Sequence, residues 1–301
     1  MKRVVSVSIG SAKRDHQVEI EIKGEKINLS RIGTDGDLKK AEEMIKELDG
    51  KVDAIGLGGI DLYIYAGGKR YIIKDAMTLA RAAKVTPVVD GSGLKNTLER
   101  ETIKYLEKET NLISAGKKVL LVSAVDRFGM AEALVEAKCE IIFGDLIFAL
   151  GLPIPLRSLK TLTLVARILL PILTRLPFQY LYPTGEKQEK TDLRHSKYYH
   201  WAEVICGDFL FIKRHMPEDM GGKVIITNTT TSEDVETLKK RGVDTLVTTT
   251  PKLEGRSFGT NLMEAMLVAL AERGLEQLKA DDYLGALKDM GVKARIEKLS
   301  G

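Results

Sequence analysis

The densest set of chemically useful side chains falls in the run Pro87-Val88-Val89-Asp90-Gly91-Ser92-Gly93-Leu94-Lys95-Asn96-Thr97, which sets an acid, flexible glycines, a hydroxyl and an amine between a strand-like stretch and a helical one. A lysine beside a carboxylate can pass a proton to or from a hydroxyl, because the neighbouring charge orients the ammonium and partial burial adjusts its pKa. Lys95 with Asp90, or with the Asp61 that ends Gly56-Leu57-Gly58-Gly59-Ile60-Asp61, forms the candidate catalytic set, and Ser92 stands beside it as a substrate-binding hydroxyl. The plainer alternative is a solvent-facing lysine in a helix's first turn, the ordinary state of that residue. Ser11-Ala12-Lys13-Arg14-Asp15-His16 is basic, and Lys13 and Arg14 are candidates for holding an anionic group.

A second kind of chemistry is suggested by strand ends. Val119 to Ser123, Ile141 to Asp145, Val204 to Asp208, Val224 to Thr231 and Thr245 to Thr250 are apolar runs that stop at small, polar or acidic residues. Strands buried on both faces read this way, and open α/β sheets bind ligands beyond the carboxyl ends of their strands. Ser123, Arg127 and Gly129 occupy the first strand-to-helix turn, where a dinucleotide's pyrophosphate would sit. Asp145 stands where an acid would take a ribose hydroxyl, with Asn228, Thr229 and Thr250 at neighbouring strand ends. The Gly-x-Gly-x-x-Gly turn itself is absent, and Asp126 and Asp145 serve equally well as helix caps. Arg256 and Ser257, just ahead of a strongly helical stretch, suit a phosphate or carboxylate. His195, His200 and His215 lack metal-ligand spacing, so no metal site is expected. No P-loop or nucleophile elbow is visible.

The elements that must position these residues predict an α/β protein of two domains. Residues 1–115 form an N-terminal α/β domain on the substrate side. It opens with extended segments at 4–9, 17–23 and 26–32, read as an antiparallel start. A helix follows over 37–48 with Asp35 or Asp37 as its cap, then a strand at 52–57, a hairpin about Gly67-Gly68, and a helix entered near Lys95. Residues 116–301 alternate strand and helix as a doubly wound, mainly parallel, Rossmann-like sheet. An apolar helical insertion over about 146–201 interrupts it. Lys160, Arg167 and Arg175, with Pro171 and Pro177, argue against a membrane span there and favour a broken helix at a dimer interface or over a site. A homo-oligomer through that insertion is expected.

With 301 residues, 44% hydrophobic and 29% charged, the chain has the composition of a globular protein, and its 46 basic against 42 acidic residues give no nucleic-acid surface. Cys139 and Cys206 lie in apolar runs and read as reduced thiols, and with no signal-peptide pattern at the start the expected location is cytoplasmic.

The segments 11–16, 58–62 and 89–100, together with Thr249-Thr250-Pro251 and 255–261, resemble those of bacterial quinate 5-dehydrogenases. The resemblance implies an oxidoreductase that uses NAD or NADP on a hydroxyl of a small, alicyclic hydroxy acid, with Lys95 and Asp90 as the nearest match to that family's Lys–Asp pair. Two other readings stand beside it. One is a sugar-kinase or actin-like phosphotransferase, suggested by the element order of the first domain. The other is a non-enzymatic ligand-sensing or assembly protein.

Overall fold

The computed structural model describes residues 1–22, 24–177, 191–250, 252–253, 256–257, 259–271, 280–289 and 294–300. Its first sheet has the order β2-β3-β1-β4-β7, with β1 Lys2–Ser8, β2 His16–Ile22, β3 Glu25–Gly33, β4 Ala54–Gly58 and β7 Val88–Val89. From Val4 to Ser8 every residue of β1 is buried, as a strand covered on both faces requires. It pairs in parallel with β3, Val4 opposite Leu29, and with β4, Val7 opposite Leu57. Only β2 and β3 are antiparallel. The opening is therefore not the antiparallel succession expected, because the chain leaves β1 through a turn at 12–14 capped by Ser11 and β3 returns beside β1. The edge strand β2 alternates half-buried and exposed positions. Helix α1, Leu38–Leu48, starts at Asp37, whose carboxylate accepts from the Lys40 amide, and buries Ala41 and Ile45. The hairpin β5 Tyr63–Ala66 and β6 Lys69–Ile72 turns at Gly67-Gly68 ahead of α2, Lys74–Ala80.

The second sheet has the order β15-β12-β11-β10-β8-β9. Its strands β8 Lys118–Leu121, β9 Glu140–Phe143, β10 Val204–Cys206, β11 Val224–Thr227 and β12 Thr245–Thr248 are parallel, and β15 Arg295–Lys298 adds antiparallel to β12. Helices α4 Phe128–Glu136, α6 Ser196–Trp201, α7 Phe209–His215 and α8 Ser232–Lys240 connect them. Cys139 and Cys206 are both free thiols, and burial pushes each above its ordinary pKa.

The chain passes between the two bodies more than once. Helix α3, Ser92–Glu109, places Leu94 and Leu98 in the first core and Ile103 and Leu106 in the second. After β12 and the short pair β13 Lys252–Leu253 and β14 Arg256–Ser257, helix α9, Thr260–Leu270, returns to the first sheet. There Leu262, Met263, Ala265 and Met266 cover Val4, Ile27 and Leu29, and the Asn261 amide donates to Ser6 Oγ at 2.6 Å. Helix α10, Ala280–Asp289, adds Tyr283 and Leu287 to that core before β15 goes back to the second sheet. The strands of the first sheet come before residue 115 and those of the second after it, while helices α9 and α10 join the first body. With α1 and α2 on one face only, the other face of the first sheet needs a cover that the first 115 residues supply only through α3.

In the apolar insertion, α5 spans Leu159–Leu173 and carries Pro171 near its end. Leu162, Ala166 and Leu170 are buried against Ala66 and Tyr71 of the β5–β6 hairpin. The Lys74 amide donates to the Thr174 carbonyl, tying the helix end to the first body. The insertion folds back through one face while Leu164, Ile168 and Ile172 stay exposed. Residues 178–190 of the expected insertion lie outside the described residues. Among the described residues, no helix is long and apolar enough to cross a membrane.

Candidate functional site

A cavity of about 600 Å³ opens where the amino end of α3 meets the β5–β6 hairpin, α9, α10 and the β8–α4 loop. Asp90, Ser92, Lys95, Asn96, Asp126 and Glu264 supply its polar wall, and Tyr63, Tyr65, Phe128 and Tyr283 its aromatic wall. Asp90 ends β7 and organises the rim: its carboxylate accepts from the Leu62 amide at 2.5 Å and from the amide and hydroxyl of Ser92 at 3.0 and 2.6 Å. Gly91, at φ 92°, lies so close to α9 that a Cβ there would meet the Asn261 backbone nitrogen at 2.6 Å. Glycine at this point lets the first body's strand end and the returning helix share one wall.

Lys95 Nζ lies 2.7 Å from Asp126 and 3.3 Å from Asp61, so carboxylates from the two bodies converge on one ammonium. Burial opposes its charge, but Asp126 and Asp61 outweigh burial and hold the lysine well above its usual range. Between the two acids, burial and the neighbouring Asp126 drive Asp61 upward. Asp126 resists burial through Lys95 and Arg127 and stays ionised well below the ordinary carboxylate range. Lys95 thus stands here as a paired cation and hydrogen-bond donor. Glu264, in α9, is pushed up to about 8 by burial and by Asp90. The backbone of Gly91 and Gly93 and the Tyr283 hydroxyl, which donates to Oε1 at 2.9 Å, hold this carboxyl, while among the described residues its Oε2 is buried with no hydrogen-bond partner. Burial also raises Tyr63 to about 12, and the Arg70 guanidinium stacks 4.7 Å from that ring.

The fold brings Lys95, Asp90, Asp61 and Ser92 together and distributes the other expected residues elsewhere. Arg127, 2% exposed, pairs with Glu99 of α3 and lies 3.5 Å from Asp208. Committed to those acids, it is not presented to a phosphate. Gly129 packs directly on α3, where a Cβ would meet the Asn96 carbonyl at 2.5 Å, so helix contact fills the place expected for a pyrophosphate turn. The Asp145 carboxylate accepts from the amides of Ala124 and Val125 at 3.2 and 2.9 Å and pins the β8–α4 loop. Burial lifts it to about 6. Asn228 donates to Asp208, and Thr250 donates to the Asn228 carbonyl. Ser123 and Thr229 sit half-buried at strand ends outside the cavity wall. Lys13 and Arg14 belong to the turn at 12–14, also outside the wall. The side chains of Arg256 and Ser257 lie outside the described residues. His215 stacks on Phe148 at 5.0 Å and makes a contact at 3.0 Å through Nδ1 with the Asp192 carbonyl.

Glu264, Tyr283 and Tyr63 are among the wall residues that the sequence reading missed. Glu264 did carry a signal: it is the one charged residue in an otherwise apolar helical run, where a carboxylate is rarely buried without a purpose.

The chain belongs to the family described as "Domain of unknown function (DUF8754)", whose model matches residues 93–299. Residues 3–90 match a second, "Domain of unknown function (DUF8753)". The two meet at the amino end of α3, beside the cavity. No curated protein matches the chain. Among solved structures it is similar to an ABC transporter solute-binding protein from Burkholderia multivorans, at 12% identity over 99% of each chain and a TM-score of 0.41. A galactofuranose-binding protein matches at 14% identity over 97% of this chain and 100% of its own, TM-score 0.39. The glucose-galactose binding protein GanP from Geobacillus stearothermophilus matches at 10% over 99% and 97%, TM-score 0.39. The families that match residues 3–90 and 93–299 are not those of the quinate dehydrogenases, which corrects the resemblance drawn above and the NAD(P)-dependent oxidoreductase activity it implied. The comparisons give the cytoplasmic expectation no support, one neighbour being described as a periplasmic ribose ABC transporter from Conexibacter woesei. At these TM-scores the likeness identifies no ligand for this chain.

Proposed function

We propose that the chain reversibly binds a small, neutral, hydroxyl-rich ligand of about monosaccharide size in the cavity at the amino end of α3. The observation that carries this reading is Glu264 Oε2, a buried carboxyl oxygen without a partner in a cavity wall that also holds aromatic rings. A buried polar atom left unpaired costs about 1–3 kcal/mol, which a ligand hydroxyl recovers on binding. Asp90, Asp126 and the Ser92 oxygen, whose hydrogen goes to Asp90, accept from ligand hydroxyls, while Lys95, Asn96 and the protonated Glu264 donate to ligand oxygens. Tyr63, Tyr65, Phe128 and Tyr283 cover the apolar faces of the ligand, the mixture typical of small-molecule pockets. With Glu264 protonated, Asp90 and Asp126 balance Lys95 and Arg70 around the cavity, which suits a neutral ligand. Lys95, held as an ammonium, binds and orients but takes no proton.

The test is calorimetry of the purified protein against a panel of neutral monosaccharides and polyols and the corresponding sugar acids. Neutral members should bind and the acids bind at least tenfold more weakly. Glu264→Leu, with near-ultraviolet circular dichroism confirming the fold, should weaken binding by about tenfold or more, the expected effect of losing a hydrogen bond to a carboxyl. Absence of binding across the panel, or tighter binding of the acids, would overturn the reading.

A further inference from the structure

We propose that the outward face of α5 docks on the surface of an anionic lipid bilayer, a property that goes beyond the ligand-binding reading and does not rest on it. One face of the helix is clamped to the protein through Leu162, Ala166 and Leu170. The opposite face carries Leu164, Ile168 and Ile172 on successive turns, 58%, 60% and 62% exposed. Single exposed apolar side chains are ordinary, but a stripe of them on a fixed helix is a surface made for contact.

The charge pattern selects the occupant. Residues 146–177 contain Arg157, Lys160, Arg167 and Arg175 and not one Asp or Glu, in a chain whose totals are nearly balanced at 46 basic and 42 acidic. Arg157 is engaged with Glu140 and Trp201. Lys160 and Arg167 are exposed on one flank of the apolar stripe at helical spacing, and Arg175 continues just past the helix end. A second copy docked about a two-fold axis would set this patch against itself, cation facing cation with no acid between them. An anionic bilayer supplies the opposite charge together with an apolar layer for the stripe. The 15-residue helix is about 22 Å long at ~1.5 Å per residue, too short for a hydrocarbon core of ~30 Å, so it lies in the interface. Because the clamped face holds the helix before contact, docking requires no folding of the segment.

Flotation of the full chain with vesicles of phosphatidylcholine alone, and of phosphatidylcholine with phosphatidylglycerol, tests the proposal. Binding is expected only to the vesicles containing phosphatidylglycerol and should fall as salt rises. Lys160→Gln with Arg167→Gln should reduce partitioning by about twentyfold, roughly fivefold for each basic residue. Ile168→Ser should reduce it independently, and both variants should keep the parent's melting temperature because the altered side chains are exposed. Failure to bind phosphatidylglycerol vesicles at low salt, or undiminished binding by the variants, would overturn the proposal. So would a dimer in light scattering that Ile168→Ser dissolves, which would assign the face to a second copy.

Discussion

Glu264 shows how one residue ties the site to the stability of the protein. Burial and Asp90 raise its carboxyl to about 8 in the folded chain, from an ordinary value of 4.5. Between those values the folded protein keeps a proton that the unfolded chain has released. The folded state then binds more protons than the unfolded one, and stability falls as pH rises through this window. The contribution is fully present below about 4.5 and lost by about 8. Glu99, raised to about 7 by burial against the pull of Arg127, acts in the same direction over the lower part of the window. Urea denaturation of Glu264→Gln at pH 5 and pH 8.5 should therefore show a smaller loss between the two than the parent, by about 2 kcal/mol or more, each tenfold in proton affinity being worth ~1.4 kcal/mol. An unchanged difference would mean that Glu264 is ionised in the folded protein. Lys95 gives the complementary case. Its neighbours Asp90 and Asp61 were legible as a cluster in the sequence, but its charge state was set by Asp126, which arrives from the other body.

At the scale of elements, α3 is the joint of the molecule. Its first turns face the cavity and the first core, its last turns enter the second core, and Glu99 and Arg100 pair with Arg127 and with Glu132 of α4. The α3–α4 contact is close because Gly129 has no side chain. Gly129→Ala should lower stability in urea by about 1–3 kcal/mol, the usual cost of overpacking, since its Cβ meets backbone of Asn96 that moves only if the helices part. Gly285 is the control. It lies exposed in the middle of α10 with nothing within 4 Å of the position of a Cβ, so Gly285→Ala should instead stabilise by about 0.5–1 kcal/mol through helix propensity. The sequence reading took Gly129 as a turn residue for a phosphate; it could not see that another helix occupies the space.

At the scale of the whole molecule, the first body is built from two distant parts of the chain. A fragment of residues 1–110 would leave the face of Val4, Ile27 and Leu29 without α9 and α10. It should lack a cooperative thermal transition and bind a hydrophobic dye, where the full chain does neither. A cooperatively folding fragment would show that α9 and α10 are dispensable to that core. The surface outside this core is completed by α5, whose inward face is satisfied by the β5–β6 hairpin and whose outward face is not.

The sequence by itself determined what depends on near neighbours. Continuous apolar runs specified the buried parallel strands, the acids at 35 and 37 marked the start of α1, where the structure uses Asp37, and Gly67-Gly68 specified the hairpin, because each rests on local burial period, capping or turn geometry. It also gathered Asp90, Ser92 and Lys95 within one helix entry. Only the tertiary structure decided that β3 lies parallel beside β1, that α9 and α10 return to the first body, and that Glu264 and Tyr283 close the cavity. It also decided that Arg127 and Gly129 meet α3 and that Asp145 pins the β8–α4 loop. Those outcomes depend on which surfaces remain uncovered once the strands have paired and on which charges then share a low-dielectric space, and neither is written in the spacing of residues along the chain.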